Sequence, residues 1–450
     1  MPTVPLKVKH LWYRLEGNFL FMPAIMAVGA IVLSVTTIMI DNSFLIEEDA
    51  VRWLLYSGEA DGARAVLSTI AGSMITVAGV VFSITIVVLS LASSQFGPRL
   101  IKNFMNVKTN QMVLGTFVAT FIYGIIVLRT VNAVPQETFV PGLSVTTAMV
   151  MSLGSLGVLI YFIHSVSESI QAQHIIARVR HDLEKAVDRI FPEKLGQAEG
   201  PSHGPITREY DIPATCDRQV CQVKAATSGF LQSVDNDALM QIAVESDLLI
   251  HLGYRPGNFI IGGGVLVTVW PGEKVDQALS DKINAVFILG TERTLEQDVE
   301  FAISQLVEIA VRALSPGIND PITATTCVSW LGASLCQLAN RKLPASHRYD
   351  SQNRLRVICK VFTFEGMLDA AFNMIRQNAY TVPAVSISLL ETIGAVLAQT
   401  RRPKDRAALL RQAAMVAEGC KLNLSADDDR KDLERRYQVA LDASAQREAQ

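Results

Sequence analysis

Four long stretches without a charged side chain dominate the first third of the chain: Asn18–Ile40, Leu67–Ala92, Gln111–Leu128 and Leu143–Ile163. A helix that crosses a bilayer takes about 20 apolar residues, and each stretch meets that length. The second belongs to an uncharged run from Ala65 to Pro98, so its helix is expected to project past the membrane. From His164 to Phe191 the pattern changes. Val166, Ile170, Ile175, Val179, Leu183, Val187 and Ile190 recur at helical spacing with charged residues between them, which predicts a connecting amphipathic helix. Gly and Pro between 193 and 217 mark a linker. Strands are predicted over Gln219–Lys224, Gly229–Val234, Leu248–Leu252 and Gly257–Trp270, with a helix capped by Asp235 or Asp237 after the second. Residues 275–450 read as helical with few strands. The fold class that follows is an α-helical membrane domain of four transmembrane helices (1–164), a connecting helix (165–192) and a linker (193–217). An α+β cytoplasmic domain completes it, with a small β-rich part (218–274) and a mainly helical C-terminal part (275–450).

Composition sharpens this division. The chain is 50% hydrophobic and only 18% charged, with a mean hydropathy of +0.29. Residues 1–164 hold nine Lys+Arg and eight Asp+Glu, whereas 165–450 hold 31 and 35. This excludes a purely cytosolic enzyme, a disordered chain and a secreted disulfide scaffold, and no basic surface recommends nucleic acid. Lys7, Lys9 and Arg14 precede the first span, Arg99, Lys102 and Lys108 separate the second from the third, and Arg178, Arg180 and Lys185 follow the fourth. The loop after the first span is acidic, with Asp41, Glu47, Glu48, Asp49, Glu59 and Asp61. Positive charge inside then places both termini in the cytoplasm. All six cysteines fall in the cytoplasmic part, where thiols stay reduced.

The second span carries the most chemistry. Thr69, Thr76, Ser83 and Ser90 recur every seven residues, Ser73 and Ser94 fall between, and Gly72, Gly79 and Ser93 lie beside them. A seven-residue repeat keeps one stripe on one side of a helix. The opposite side is expected to carry Ile75, Phe82, Ile86 and Leu89. Two accounts stay open. Small and hydroxyl residues let transmembrane helices approach closely, and hydroxyls also make weak ligands along a pore. In a pore, Gln95, Arg99 and Lys102 would form the cytoplasmic exit. No span contains Asp, Glu, Lys, Arg or His in its interior, which removes ion-coupled transport and intramembrane proteolysis by paired aspartates, since both need titratable groups there.

The cytoplasmic part shows no Gly-x-Ser-x-Gly elbow, zinc quartet, Walker loop or Rossmann fingerprint. No catalytic, cofactor-binding or metal-ligating residue is therefore nominated. Gly262-Gly263-Gly264 reads as a hairpin turn. In the segment Arg312–Pro321, Pro316 and Gly317 stop one helix, Asn319 or Asp320 caps the next, and Pro321 suits its first turn. Arg312, Asn319 and Asp320 are the candidates there for a ligand or subunit contact.

Trp12-Tyr13-Arg14-Leu15, Gly79–Thr85, Leu91–Arg99 and the Arg312–Pro321 turn together resemble the DUF2254 domain family of bacterial predicted inner-membrane proteins. The resemblance implies a bacterial inner-membrane location and a role for Ser93–Arg99 beyond anchoring. It assigns no catalytic residue. The expected function is a homo-oligomeric channel passively conducting ions or small solutes, lined by the second helix and gated by the cytoplasmic domain, with the lipid bilayer and further copies of the chain as partners. A membrane-tethered sensor or scaffold, and a cytoplasmic-face enzyme, are the alternatives.

Overall fold

A computed structural model describes residues 20–43, 55–97, 108–134, 137–169, 171–191 and 220–448. The chain divides into two compact units, Met1–His174 and Ile175–Gln450.

The first unit contains α1 (Phe21–Asn42), α2 (Ala60–Phe96), α3 (Lys108–Thr130), a short hairpin of β1 (Asn132–Val134) and β2 (Glu137–Phe139), and α4 (Gly142–Ser169). α3 lies at the centre, and α1, α2 and α4 each pack against it. Small residues make the closest approaches, as in other membrane helix packings. α1 buries Pro23, Ala30, Ser34 and Thr37, and a Cβ on Gly115 of α3 would stand 3.2 Å from Pro23 Cα. Polar links then fix the ends. The Asp41 carboxylate accepts from Leu143 N at 3.0 Å, Ser144 N at 2.9 Å and Ser144 Oγ at 2.6 Å. It thereby caps the first turn of α4, where backbone donors lack helical partners. The fully buried Tyr123 donates to the Ser144 carbonyl at 3.1 Å and lies 2.9 Å from the Thr37 hydroxyl. Arg64 donates to the Val131 carbonyl at 3.0 and 3.3 Å.

The second unit begins within α5 (Ala172–Ile190), whose Ile175, Ile176, Val179, Leu183 and Val187 are buried. The helix expected to run on from His164 is two helices, because α4 ends at Ser169. Next come β3 (Cys221–Lys224), β4 (Gly229–Val234), α6 (Asn236–Glu245), β5 (Leu249–Leu252), β6 (Phe259–Ile260), β7 (Val265–Trp270), α7 (Gln277–Ala285) and β8 (Phe287–Gly290). They are followed by α8 (Val299–Ala313), α9 (Pro321–Ala339), β9 (His347–Tyr349), β10 (Leu355–Cys359), α10 (Phe364–Ala379), α11 (Pro383–Gln399), α12 (Pro403–Asn423) and α13 (Asp427–Glu448). The strands form a five-stranded sheet, β3-β7-β5-β10-β9, and a three-stranded sheet, β6-β4-β8. The long-range partner is β10, which runs parallel to β5 and draws the segment after residue 274 into the sheet. Val223, Leu231, Leu239, Ile250, Val267 and Val357 meet in the core between these elements. The glycine triplet does not close a hairpin, because β6 and β7 lie in different sheets. It carries the chain from one sheet to the other, with Gly263 at φ +78°.

Among the described residues, five helices are long and apolar enough to cross a membrane: α1–α4 and α9. α9 differs from the others in its surroundings. It packs between α8 and α11, burying Ala324, Cys327, Val328, Leu331, Leu335 and Leu338. A Cβ on its Gly332 would collide with the Thr392 side chain of α11.

Candidate functional site

α2 has 37 residues, which at about 1.5 Å per residue is roughly 55 Å. Its packed arc consists of Ala63, Leu67, Ile70, Met74, Ala78, Val81 and Ala92. The hydroxyl stripe lies on the other side. Thr69, Ser73, Thr76, Ser83, Ser90 and Ser94 are all exposed, and a Cβ on Gly72 or Gly79 would meet nothing within 4 Å. Among the described residues, the stripe is therefore not a seam against another helix of the chain. Ile75, Phe82 and Ile86, expected opposite it, are also exposed. They flank the stripe rather than lie opposite it.

Four of the six stripe hydroxyls hydrogen-bond within the helix. Thr69 donates to the Ala65 carbonyl at 2.7 Å, Ser73 to Ile70 at 3.0 Å, Thr76 to Gly72 at 2.8 Å and Ser94 to Leu91 at 2.8 Å. Each proton is used within the helix, and the oxygen lone pairs remain available on the exposed side. Val80 and Val87, on the same side, are 53% and 63% exposed and interrupt the polar line. Gln95 is exposed near the end of α2, and Gly97, at φ +114°, terminates the helix with its N–H on the Ser93 carbonyl at 3.2 Å. Arg99 and Lys102 lie outside the described residues. Beside the packed arc, α2, α3 and α4 border an apolar cleft of about 420 Å³ lined by Ile70, Met74, Phe117, Ser152 and Leu156 among others.

The second candidate group lies in the turn between α8 and α9, where Asp320 N donates to the Ala313 carbonyl at 2.7 Å. Asp320 caps α9, accepting from Thr323 N at 3.1 Å and Thr323 Oγ1 at 2.6 Å, and these bonds hold its carboxyl below the usual carboxylate range. Asn319 is exposed in the left-handed region at φ +49°. Arg312 pairs with Glu308 one turn back on α8, at 3.6 Å. The turn chemistry read from the residues is present, with Pro321 in the first turn of α9. Among the described residues, no three His, Cys, Asp or Glu side chains are grouped to hold a metal ion. The linkage of Asp41, Ser144, Tyr123 and Thr37 was not visible in the sequence. Its one signal is an acidic residue closing the first span and a Gly-Leu-Ser opening the fourth.

Comparison with known proteins adds a family and no activity. A family model described as "Predicted membrane protein (DUF2254)" matches residues 16–395. Uncharacterized proteins of Mycobacterium bovis and Mycobacterium tuberculosis are each 33% identical to the chain over 386 residues, covering 84% of it and 72% of the relative. No solved structure matches the chain.

Proposed function

The chain belongs to the DUF2254 family of predicted membrane proteins, and from that premise we propose that it is a homo-oligomeric channel passively conducting ions or small solutes. α1–α4 are the four spans, embedded in a bacterial inner membrane with both termini in the cytoplasm. α9 stays with the cytoplasmic unit, and that unit gates the pore. The observation that carries the reading is the exposed hydroxyl stripe of α2, which sits opposite the face that packs on α3. Four helices of one chain, arranged around α3, leave that stripe outside. Several copies with their α2 stripes turned inward would enclose a path lined by hydroxyls, with Val80 and Val87 as apolar constrictions.

Three features support a conduit over a carrier. The run from Ala65 to Pro98 has no titratable side chain, the Thr69, Ser73, Thr76 and Ser94 hydroxyl protons are used within the helix, and α2 is longer than a bilayer requires. The purified full-length protein, reconstituted in a planar bilayer, is expected to pass current. Ser83→Trp, on the exposed side of α2, should reduce unitary conductance several-fold without loss of folded protein. Absence of current across voltage and membrane tension, from protein shown to be folded and inserted, would sink the channel reading.

A further inference from the structure

We propose that the cleft bordered by α2, α3 and α4 is a binding site for one acyl chain of a membrane phospholipid. Its floor is Ile70 and Met74 of α2 with Phe117 of α3, all buried, and its rim is Leu153 and Leu156 of α4, both exposed. Ser152 is the one polar side chain of the lining, which includes no charged group. On α2 the lining runs from Val66 to Val77, and on α4 from Met149 to Leu159. At about 1.5 Å per residue, each wall is roughly 15–16 Å long. A volume of about 420 Å³ spread over that length leaves a groove about 6 Å across, half the about 10–12 Å diameter of a helix with its side chains. Val66 lies six residues after the start of α2, and Met149 seven after the start of α4. The groove therefore begins about two turns inside the N-terminal ends of both helices.

Dimensions and surroundings together select the occupant. Water is a poor filling, because an ordered water needs two to four polar partners and the lining side chains offer Ser152 alone. α2, α3 and α4 are each long and apolar enough to cross a membrane, so the medium at the rim is hydrocarbon. A whole helix is too wide to enter. Side chains on a helix of another copy would enter as separate tips about 5–6 Å apart and leave gaps between them. An extended polymethylene chain is narrow and continuous, and keeps dispersion contact with both walls along the full length. That length is about half of the roughly 30 Å hydrocarbon core, the depth that the chains of one leaflet fill. The source is a phospholipid rather than a free fatty acid, because the uncharged lining offers a carboxylate no partner, whereas a phospholipid keeps its charged head at the membrane surface. The site needs α2–α4 in a bilayer and asks nothing of a pore.

The test uses full-length protein in liposomes of phosphatidylethanolamine, a fraction of which carries a diazirine midway along one acyl chain. The protein is extracted into detergent, washed free of loose lipid and then irradiated. Adducts are expected on the peptides holding Ile70–Met74 and Ser152–Leu156, several-fold above those holding Val28 and Val32, which are 60% exposed on α1. Phosphorus analysis of the same washed protein should find one phospholipid per chain. Ser152→Trp and Leu156→Trp, which fill the groove, should lose both the adduct and the phosphorus, and Val32→Trp should keep both. If a groove variant fails to fold, the labelling pattern of the parent decides alone. Equal labelling of the groove and of Val28 and Val32 would overturn the proposal, as would lipid retained by folded Ser152→Trp and Leu156→Trp. Folded parent with neither phosphorus nor adduct would overturn it in favour of side chains from another copy. A fatty acid recovered without phosphorus would overturn the phospholipid. Bound lipid in protein that passes no current keeps this site and removes the channel, and current from protein without bound lipid does the reverse.

Discussion

Three glycine-to-alanine replacements measure which faces of the membrane helices are covered. An alanine Cβ at Gly115 would stand 3.2 Å from Pro23 Cα and 2.5 Å from Met26 Sδ. The thioether can swing aside, but the Pro23 backbone can yield only by moving α1. Overpacking of this kind costs about 1–3 kcal/mol. At Gly72 and Gly79 the same Cβ meets nothing within 4 Å, and relief of glycine's conformational freedom in a helix stabilises by about 0.5–1 kcal/mol. The two classes therefore differ in sign and by about 1.5–4 kcal/mol between them. Unfolding by a denaturing detergent in mixed micelles, at one chain per micelle, reads that difference in the isolated chain. Gly115→Ala should unfold earlier than the parent, and Gly72→Ala and Gly79→Ala at the same point or later. The assembled protein should respond differently, because an added methyl on the α2 stripe narrows whatever lies there, and conductance or particle size should change for the stripe variants alone. If Gly79→Ala destabilised the single chain as much as Gly115→Ala, the exposed stripe would be a covered one and the reasoning would fail.

Asp41→Ala removes three hydrogen bonds at the start of α4 and should destabilise the first unit by about 1–3 kcal/mol, the range for charge-assisted bonds and helix caps, whereas Asp41→Asn should recover part of the loss in the same detergent titration. Gly332→Leu should separate α9 from α11, since even a Cβ there collides with Thr392, and a drop of several degrees in the melting temperature of the full-length protein would show it. The Asp350 carboxyl is held down to about 2 by the backbone N–H of Arg354, with Arg356 and Gln352 as further donors. A carboxyl lowered in the folded state adds stability that is complete above its unfolded value near 3.8 and is lost as pH falls toward 2. Circular dichroism melts between pH 5 and pH 2 should show that loss in the parent and a smaller one in Asp350→Asn.

The membrane helices were legible because charge is absent from them, and absence of charge is a local property of the chain. Which side of each helix is covered was legible only in part. The seven-residue recurrence of Thr69, Thr76, Ser83 and Ser90 located the polar stripe. It did not say that Ile75, Phe82 and Ile86 would be exposed beside it while Ala63, Ala71 and Ala78 are buried. In lipid there is no hydrophobic gain from hiding a large side chain, so apolar residues such as Ile75, Phe82 and Ile86 can stay outside. In the second unit the alternation of Gln219–Lys224 located β3. The parallel pairing of β10 with β5 joins residues about a hundred positions apart, and no local pattern announces it.

α9 is where the two regimes meet. By composition it passes as a span, for a helix buried on one side by neighbours and uncharged on the other has the same average hydropathy as one surrounded by lipid. Its two sides nevertheless differ: Leu331, Leu335 and Leu338 lie on the buried side, and Ser329 and Gln337 on the exposed one. α2 shows the same arrangement, with Leu67, Ile70 and Met74 on its packed side and its hydroxyls outside.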